Sequence, residues 1–135
     1  MGEDYPEVGW PESGELDVME VIGADITHVI GTVHVPDDQG ERVFLQASTD
    51  VADPLSEDFH LYAMEWDDHA IVWSLDGKEY GRVTRAEVEE VGEWVLDDEF
   101  YLILNLAIGG VYGGPVAVDT EFPQELVVDY VRVYQ

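Results

Sequence analysis

Hydrophobic and polar residues alternate along most of this chain in short runs separated by turn-forming residues. Residues 14–22, 26–34, 42–48, 59–66 and 70–76 each combine β-branched or aromatic side chains with partial alternation, the pattern of strands that bury one face. Asp76-Gly77 is the strongest turn signal. Asp-Gly supplies the positive φ angles of a type I′ turn, which predicts a hairpin joining Ile71-Val72-Trp73 to Tyr80-Gly81-Arg82-Val83. Further strands are expected at 101–107 and 126–134. One short helix is expected over 85–91, because Thr84 followed three residues later by Glu87 makes a capping box. The chain therefore reads as all-β with one connecting helix, and no repeat or linker divides it.

The alternation fails at one informative place. In Gly14-Glu15-Leu16-Asp17-Val18-Met19-Glu20-Val21, Glu15 and Asp17 fall on one face and Leu16 and Val18 on the other, and then Met19 breaks the pattern. A one-residue β-bulge at Val18-Met19 restores it and puts Glu15, Asp17 and Glu20 in a row on one side. Like charges in a row repel, so one carboxyl is expected to keep its proton near neutral pH, which gives one site both an acid and a base. Retaining glycosidases need such a pair with carboxyl groups ~5–5.5 Å apart. The two glutamates, about 13 Å apart at Cα, must lean inward over Asp17. The plain alternative is an exposed strand edge carrying acids by chance.

Charge widens the picture. The 135 residues are 46% hydrophobic, enough for a real core, and the length fits one domain or part of a larger sandwich. Against 31 acidic residues stand 5 basic ones, a formal net charge of −26, which excludes nucleic acid as a partner. Such a charge repels itself at low ionic strength, whereas molar salt shortens the screening length to ~3 Å. A high-salt, halophilic setting is the preferred reading; solubility conferred by acidic loops such as Asp37-Asp38 and Asp97-Asp98-Glu99 is the alternative. The lack of cysteine excludes disulfides and thiolate metal sites. No apolar run approaches the ~18 residues of a membrane span, and the start MGEDYPEVGW lacks the basic and apolar regions of a signal peptide.

The stretch Gly9-Trp10-Pro11-Glu12-Ser13-Gly14-Glu15-Leu16-Asp17-Val18-Met19-Glu20-Val21-Ile22-Gly23 closely resembles the signature of family-16 glycoside hydrolases, especially the laminarinase-like endo-β-1,3-glucanases. Further matches follow in family order: Gly31-Thr32-Val33-His34, Phe59-His60-Leu61-Tyr62-Ala63-Met64-Glu65-Trp66, Leu102-Ile103-Leu104-Asn105-Leu106-Ala107-Ile108-Gly109-Gly110, and Phe122-Pro123-Gln124 through Asp129-Tyr130-Val131-Arg132-Val133-Tyr134-Gln135. The resemblance implies a concanavalin A-like jelly-roll β-sandwich, N-terminally truncated, with residues 1–135 forming part of a catalytic domain. It makes Glu15 the nucleophile, Glu20 the general acid/base and Asp17 the residue that holds and tunes the nucleophile. The implied activity is retaining hydrolysis of internal β-1,3 or mixed β-1,3/1,4 bonds in β-glucans such as laminarin. The extra residue relative to the Glu-x-Asp-x-Glu form of licheninases and plant xyloglucan enzymes points to the laminarinase, agarase or carrageenase side. A catalytically silent or β-glucan-binding fragment is the alternative, since a truncated sandwich exposes edges and apolar faces that favour self-association.

The resemblance extends to His34 and Asp129, and the chemistry of the indole ring adds Trp10 and Trp66. His34 resembles a cleft histidine near the reacting sugar, or else is a half-buried strand histidine. Trp10 is the candidate for stacking on a sugar face. Trp66, like Trp73 and Trp94, sits at a strand-like position; it either joins the core or reaches the cleft floor. Asp129 matches a position whose backbone carbonyl contributes to a structural calcium site, a metal that takes six to eight oxygens; otherwise it is a solvated acid. Catalysis itself needs no cofactor. The implied partner is polysaccharide and the implied location extracellular.

Overall fold

The computed structural model describes residues 1–135, which divide into two compact units, Met1–Leu102 and Ile103–Gln135. The first is an antiparallel β-sandwich. One sheet joins β1 (Glu15–Ile22), β2 (Asp25–Pro36) and β3 (Arg42–Asp50) in the order β1-β2-β3. The other joins β4 (Tyr62–Trp66), β5 (Ala70–Leu75) and β6 (Lys78–Thr84) in the order β4-β5-β6.

Alternation explains how the sheets meet. On β5, Ile71, Trp73 and Leu75 are buried, and the first two pack with Val33 and Val35 of β2, Val83 of β6, Val88 and Leu96. A second cluster gathers Val29, Leu55 and Leu75, with Met19 and Val21 of β1 against it. Each fully buried aliphatic side chain of this kind contributes roughly 1.5–3 kcal/mol. Two glycines set the closeness of the sheets. A Cβ on Gly31 would overlap the Trp73 indole, and one on Gly81 would overlap the Ala47 side chain.

The local signals act as expected at the hairpin and the helix. Asp76 and Gly77 have φ of 51° and 77°, and β5 runs into β6 through them. Thr84 and Glu87 form the capping box of a helix over Arg85–Glu89 that presses Val88 into the core. This helix stops two residues short of the expected end. The opening segment contains an unexpected helical turn, Tyr5–Val8, with Pro6 in its first turn. In chain order these are α2 and α1.

Three expected strand segments differ. The run expected from residue 59 becomes β4 only at Tyr62, because the Leu61 amide donates to the Asp76 carboxylate (2.8 Å) instead of entering a ladder. Residues 101–107 and 126–134 form no strands. A strand exists through its ladder, and no segment of this chain supplies one to them. Their apolar side chains, including Ile103, Leu104, Leu106, Val127 and Val133, are exposed. The second unit contains one helical turn, α3 (Gly110–Gly113), and is otherwise irregular.

Candidate active site

Pairing between β1 and β2 builds the site. Glu15 lies opposite His34 and Asp17 opposite Thr32, and the next pair is Glu20 with Ile30. Three steps along β1 thus match two along β2, which places a one-residue bulge at Val18-Met19. Beyond it Met19 and Val21 turn to the core, as Leu16 does before it. Glu15, Asp17 and Glu20 therefore share the opposite face. Directly opposed residues point the same way, so Thr32 and His34 join that face, and Gln46 and Phe44 of β3 continue it.

Each carboxylate has its own setting. The Trp10 indole N–H donates to Glu15 Oε2 across 2.7 Å, from the loop before β1. The indole N–H is thus committed to a carboxylate, while the ring expected to stack on a sugar face stays 43% exposed. Asp17 is tied to the core through its backbone, whose carbonyl accepts from Trp73 Nε1 at 2.9 Å. Its Oδ2 is buried without a directed hydrogen bond, and His34 Nε2 lies 3.3 Å away at ion-pair distance.

Glu20 is the perturbed member of the row. Burial pushes its carboxyl above the ordinary glutamate range; the Thr32 hydrogen bond opposes this, the Asp17 charge adds to the rise, and His34 and Glu15 act more weakly in opposite senses. Thr32 Oγ1 donates to Glu20 Oε2 at 2.7 Å.

His34 receives its orientation from Arg42. The Arg42 Nη1 to His34 Nδ1 distance is 3.3 Å, and a guanidinium cannot accept, so Nδ1 carries the lone pair. In the neutral ring the proton then sits on Nε2, facing Asp17. Arg42 itself lies over Phe44 (4.7 Å) and Trp10 (5.9 Å), and Trp10 and His34 meet with ring centroids 6.0 Å apart.

Chemically, this face offers a hydrogen-bonded carboxylate at one end and a carboxyl with raised proton affinity at the other, with a third acid between them. That is the inventory of nucleophile and general acid. Glu15, Asp17 and His34 also bring ligand atoms within 4.8 Å of one another, the one metal-competent grouping in the chain. Asp129, whose backbone carbonyl the resemblance offered to calcium, is exposed in the second unit, and its side chain belongs to no such grouping. Trp66 ends β4 in the other sheet. Its indole donates to the Leu96 carbonyl (3.1 Å) and its ring meets the Phe100 ring edge-on (5.7 Å), contacts that do not involve the carboxylate row. Thr32, Arg42 and Phe44 were not singled out from sequence. For Thr32 a signal existed, since it stands two residues before His34 in a strand and must share its face.

The family profile of glycosyl hydrolases family 16 matches residues 5–131. A beta-glucanase of Rhodothermus marinus is 39% identical over 137 residues, covering 97% of this chain and 48% of that protein. The X-ray structure of endo-beta-1,3-glucanase from Pyrococcus furiosus superposes with a TM-score of 0.82 at 37% identity, covering 91% of this chain and 48% of that one. The laminarinase catalytic domain from Thermotoga maritima gives a TM-score of 0.80 at 37% identity over 90% of this chain and 50% of that one. The chain thus spans about half the length of these relatives and shares their sandwich. With the family profile running over nearly its whole length and the carboxylate row on one sheet face, this chain belongs to glycosyl hydrolases family 16.

Proposed function

We propose that the carboxylate row carries out retaining hydrolysis of internal β-1,3 bonds of a β-glucan, with laminarin the favoured substrate and mixed β-1,3/1,4 glucan next. The observation that carries the reading is the contrast between Glu15, held by the Trp10 indole, and Glu20, whose carboxyl is pushed up by burial on the same face. Names of relatives as beta-glucanase and endo-beta-1,3-glucanase support the substrate class.

In the first step a Glu15 oxygen attacks the anomeric carbon while Glu20 gives its proton to the leaving glycosidic oxygen, which departs with the bonding electrons as an alcohol. A covalent glycosyl ester remains on Glu15. Glu20, now a carboxylate, takes a proton from water as that water attacks the anomeric carbon, which frees Glu15 and restores the acid. Asp17, between the two, adds negative charge that helps to keep Glu20 protonated before the first step. His34 lies beside that carboxylate, its Nε2 3.3 Å from Asp17 Oδ2. The steps use carboxylates and water.

A polymer of this kind is met outside the cell, which makes an extracellular location part of the proposal. Concentrated salt is the other part: Glu3, Asp4, Glu7, Asp98 and Glu99 line a single open hollow, and counter-ions relieve the repulsion among them. Exposed Ile103, Leu104, Leu106 and Ile108 make self-association at high protein concentration the expected behaviour.

Proton NMR of the first sugar released from a laminari-oligosaccharide tests the retaining mechanism. The β-anomer is expected before mutarotation, and initial release of the α-anomer would overturn the assignment of Glu15 as nucleophile.

A further inference from the structure

We infer that Thr32 is a positioning residue for Glu20: its hydroxyl holds Oε2 of the carboxyl and leaves Oε1 as the oxygen that carries and delivers the proton. The inference rests on the proposed role of Glu20 and adds to it a named residue and a named oxygen.

The geometry is specific. Thr32 is 3% exposed, in the ladder opposite Asp17, and its Oγ1 lies 2.7 Å from Glu20 Oε2. As a β-branched residue in a paired strand it has few accessible χ1 states, so the position of its Oγ1 is fixed. Glu20, by contrast, sits just past the bulge and is paired with Ile30 rather than Thr32. The bulge thus turns Glu20 onto the carboxylate face, and the threonine clamps the end of its long side chain.

A hydroxyl has one proton. While Thr32 donates it to Oε2, the acidic proton of Glu20 is favoured on Oε1, because the carbonyl oxygen of a carboxyl group is its better acceptor. The reversed arrangement would point the acidic proton at β2, where no leaving oxygen can approach. In the glycosylation step the proton moves from Oε1 to the glycosidic oxygen as the C1–O bond breaks with its electrons going to that oxygen, and Glu15 forms the new bond to C1.

The charged and titratable groups facing Glu20 are Asp17 and Glu15 on its own strand and His34 on β2. They are untouched by a change at Thr32. Loss of the hydroxyl removes a bond that favours the carboxylate, so Glu20 in Thr32→Val should titrate at higher pH than in the parent, and Thr32→Ser should restore it.

The test has two arms on the full chain, with thermal unfolding confirming that each variant folds. Carbon-13 NMR titration of the Glu20 carboxyl in parent, Thr32→Val and Thr32→Ser needs no turnover; an upward move in Val, reversed in Ser, is expected, and an unmoved titration overturns the inference. The second arm compares kcat/KM for a laminari-oligosaccharide, whose leaving alcohol needs an acid, with a dinitrophenyl β-glycoside, whose leaving group does not. Thr32→Val should lose about tenfold on the first, part of the ~10²–10⁴ that a positioned acid supplies, and little on the second. Equal loss on both would overturn the inference. A parent without turnover on either substrate counts against the proposed function, and the titration alone then decides the role of Thr32.

Discussion

The indole N–H of Trp10 donates to Glu15 Oε2 across 2.7 Å, so a residue in the loop before β1 holds the first carboxylate of the strand. Hydrogen bonds to a charged partner contribute about 1.5–3 kcal/mol, and each ~1.36 kcal/mol of barrier is tenfold in rate. Trp10→Phe keeps a ring and removes the donor. Its kcat/KM on laminarin should fall about 10- to 100-fold with little change in Tm, because the side chain is half exposed. Steady-state kinetics at parent level would show that the bond does not position Glu15.

The raised proton affinity of Glu20 links stability to pH. Between the ordinary glutamate value of 4.5 and its higher native value, the folded state binds more protons than the unfolded one. Stability from this group is therefore complete below 4.5 and is lost as pH rises through the native value. Glu20→Gln removes the effect, so at pH 7 the variant should melt above the parent, and the gap should close toward pH 4. A gap that stays constant from pH 4 to 8 would contradict the role of burial.

Close approach of the sheets makes Gly31 sensitive to a single methyl. Gly31→Ala drives a Cβ into the Trp73 indole, and overpacking of this kind costs about 1–3 kcal/mol. The melting temperature should drop by several degrees. Gly23→Ala, with open space around the added atom, serves as the control and should leave Tm nearly unchanged.

Salt should stabilise the chain. With a net charge of −26 and a screening length of ~3 Å at 1 M, Tm is expected to rise between dilute buffer and molar sodium chloride. A flat or falling Tm would leave the acidic residues as agents of solubility only.

Much of the sandwich was legible because its signals are local. Alternation outlines β1 to β6, Asp76-Gly77 makes the hairpin turn and Thr84 with Glu87 caps α2. The segments 101–107 and 126–134 carry the same apolar character and form no strand, since pairing is a property of two segments and composition belongs to one. The site divides the same way. A break in alternation was enough to bring Glu15, Asp17 and Glu20 to one face. The contacts that differentiate them come from elsewhere in the chain: Trp10 to Glu15, Thr32 to Glu20 and Arg42 through His34 toward Asp17. The indole N–H of Trp66, a sequence candidate for the cleft, is likewise bound by a distant partner, the Leu96 carbonyl.

Reducing-sugar release from laminarin by the chain and by its Glu15→Gln variant decides whether Glu15 is the nucleophile. Turnover by the parent and a loss of several orders of magnitude in the variant are expected, because the amide cannot form the glycosyl ester. Equal rates from the two proteins would contradict that role.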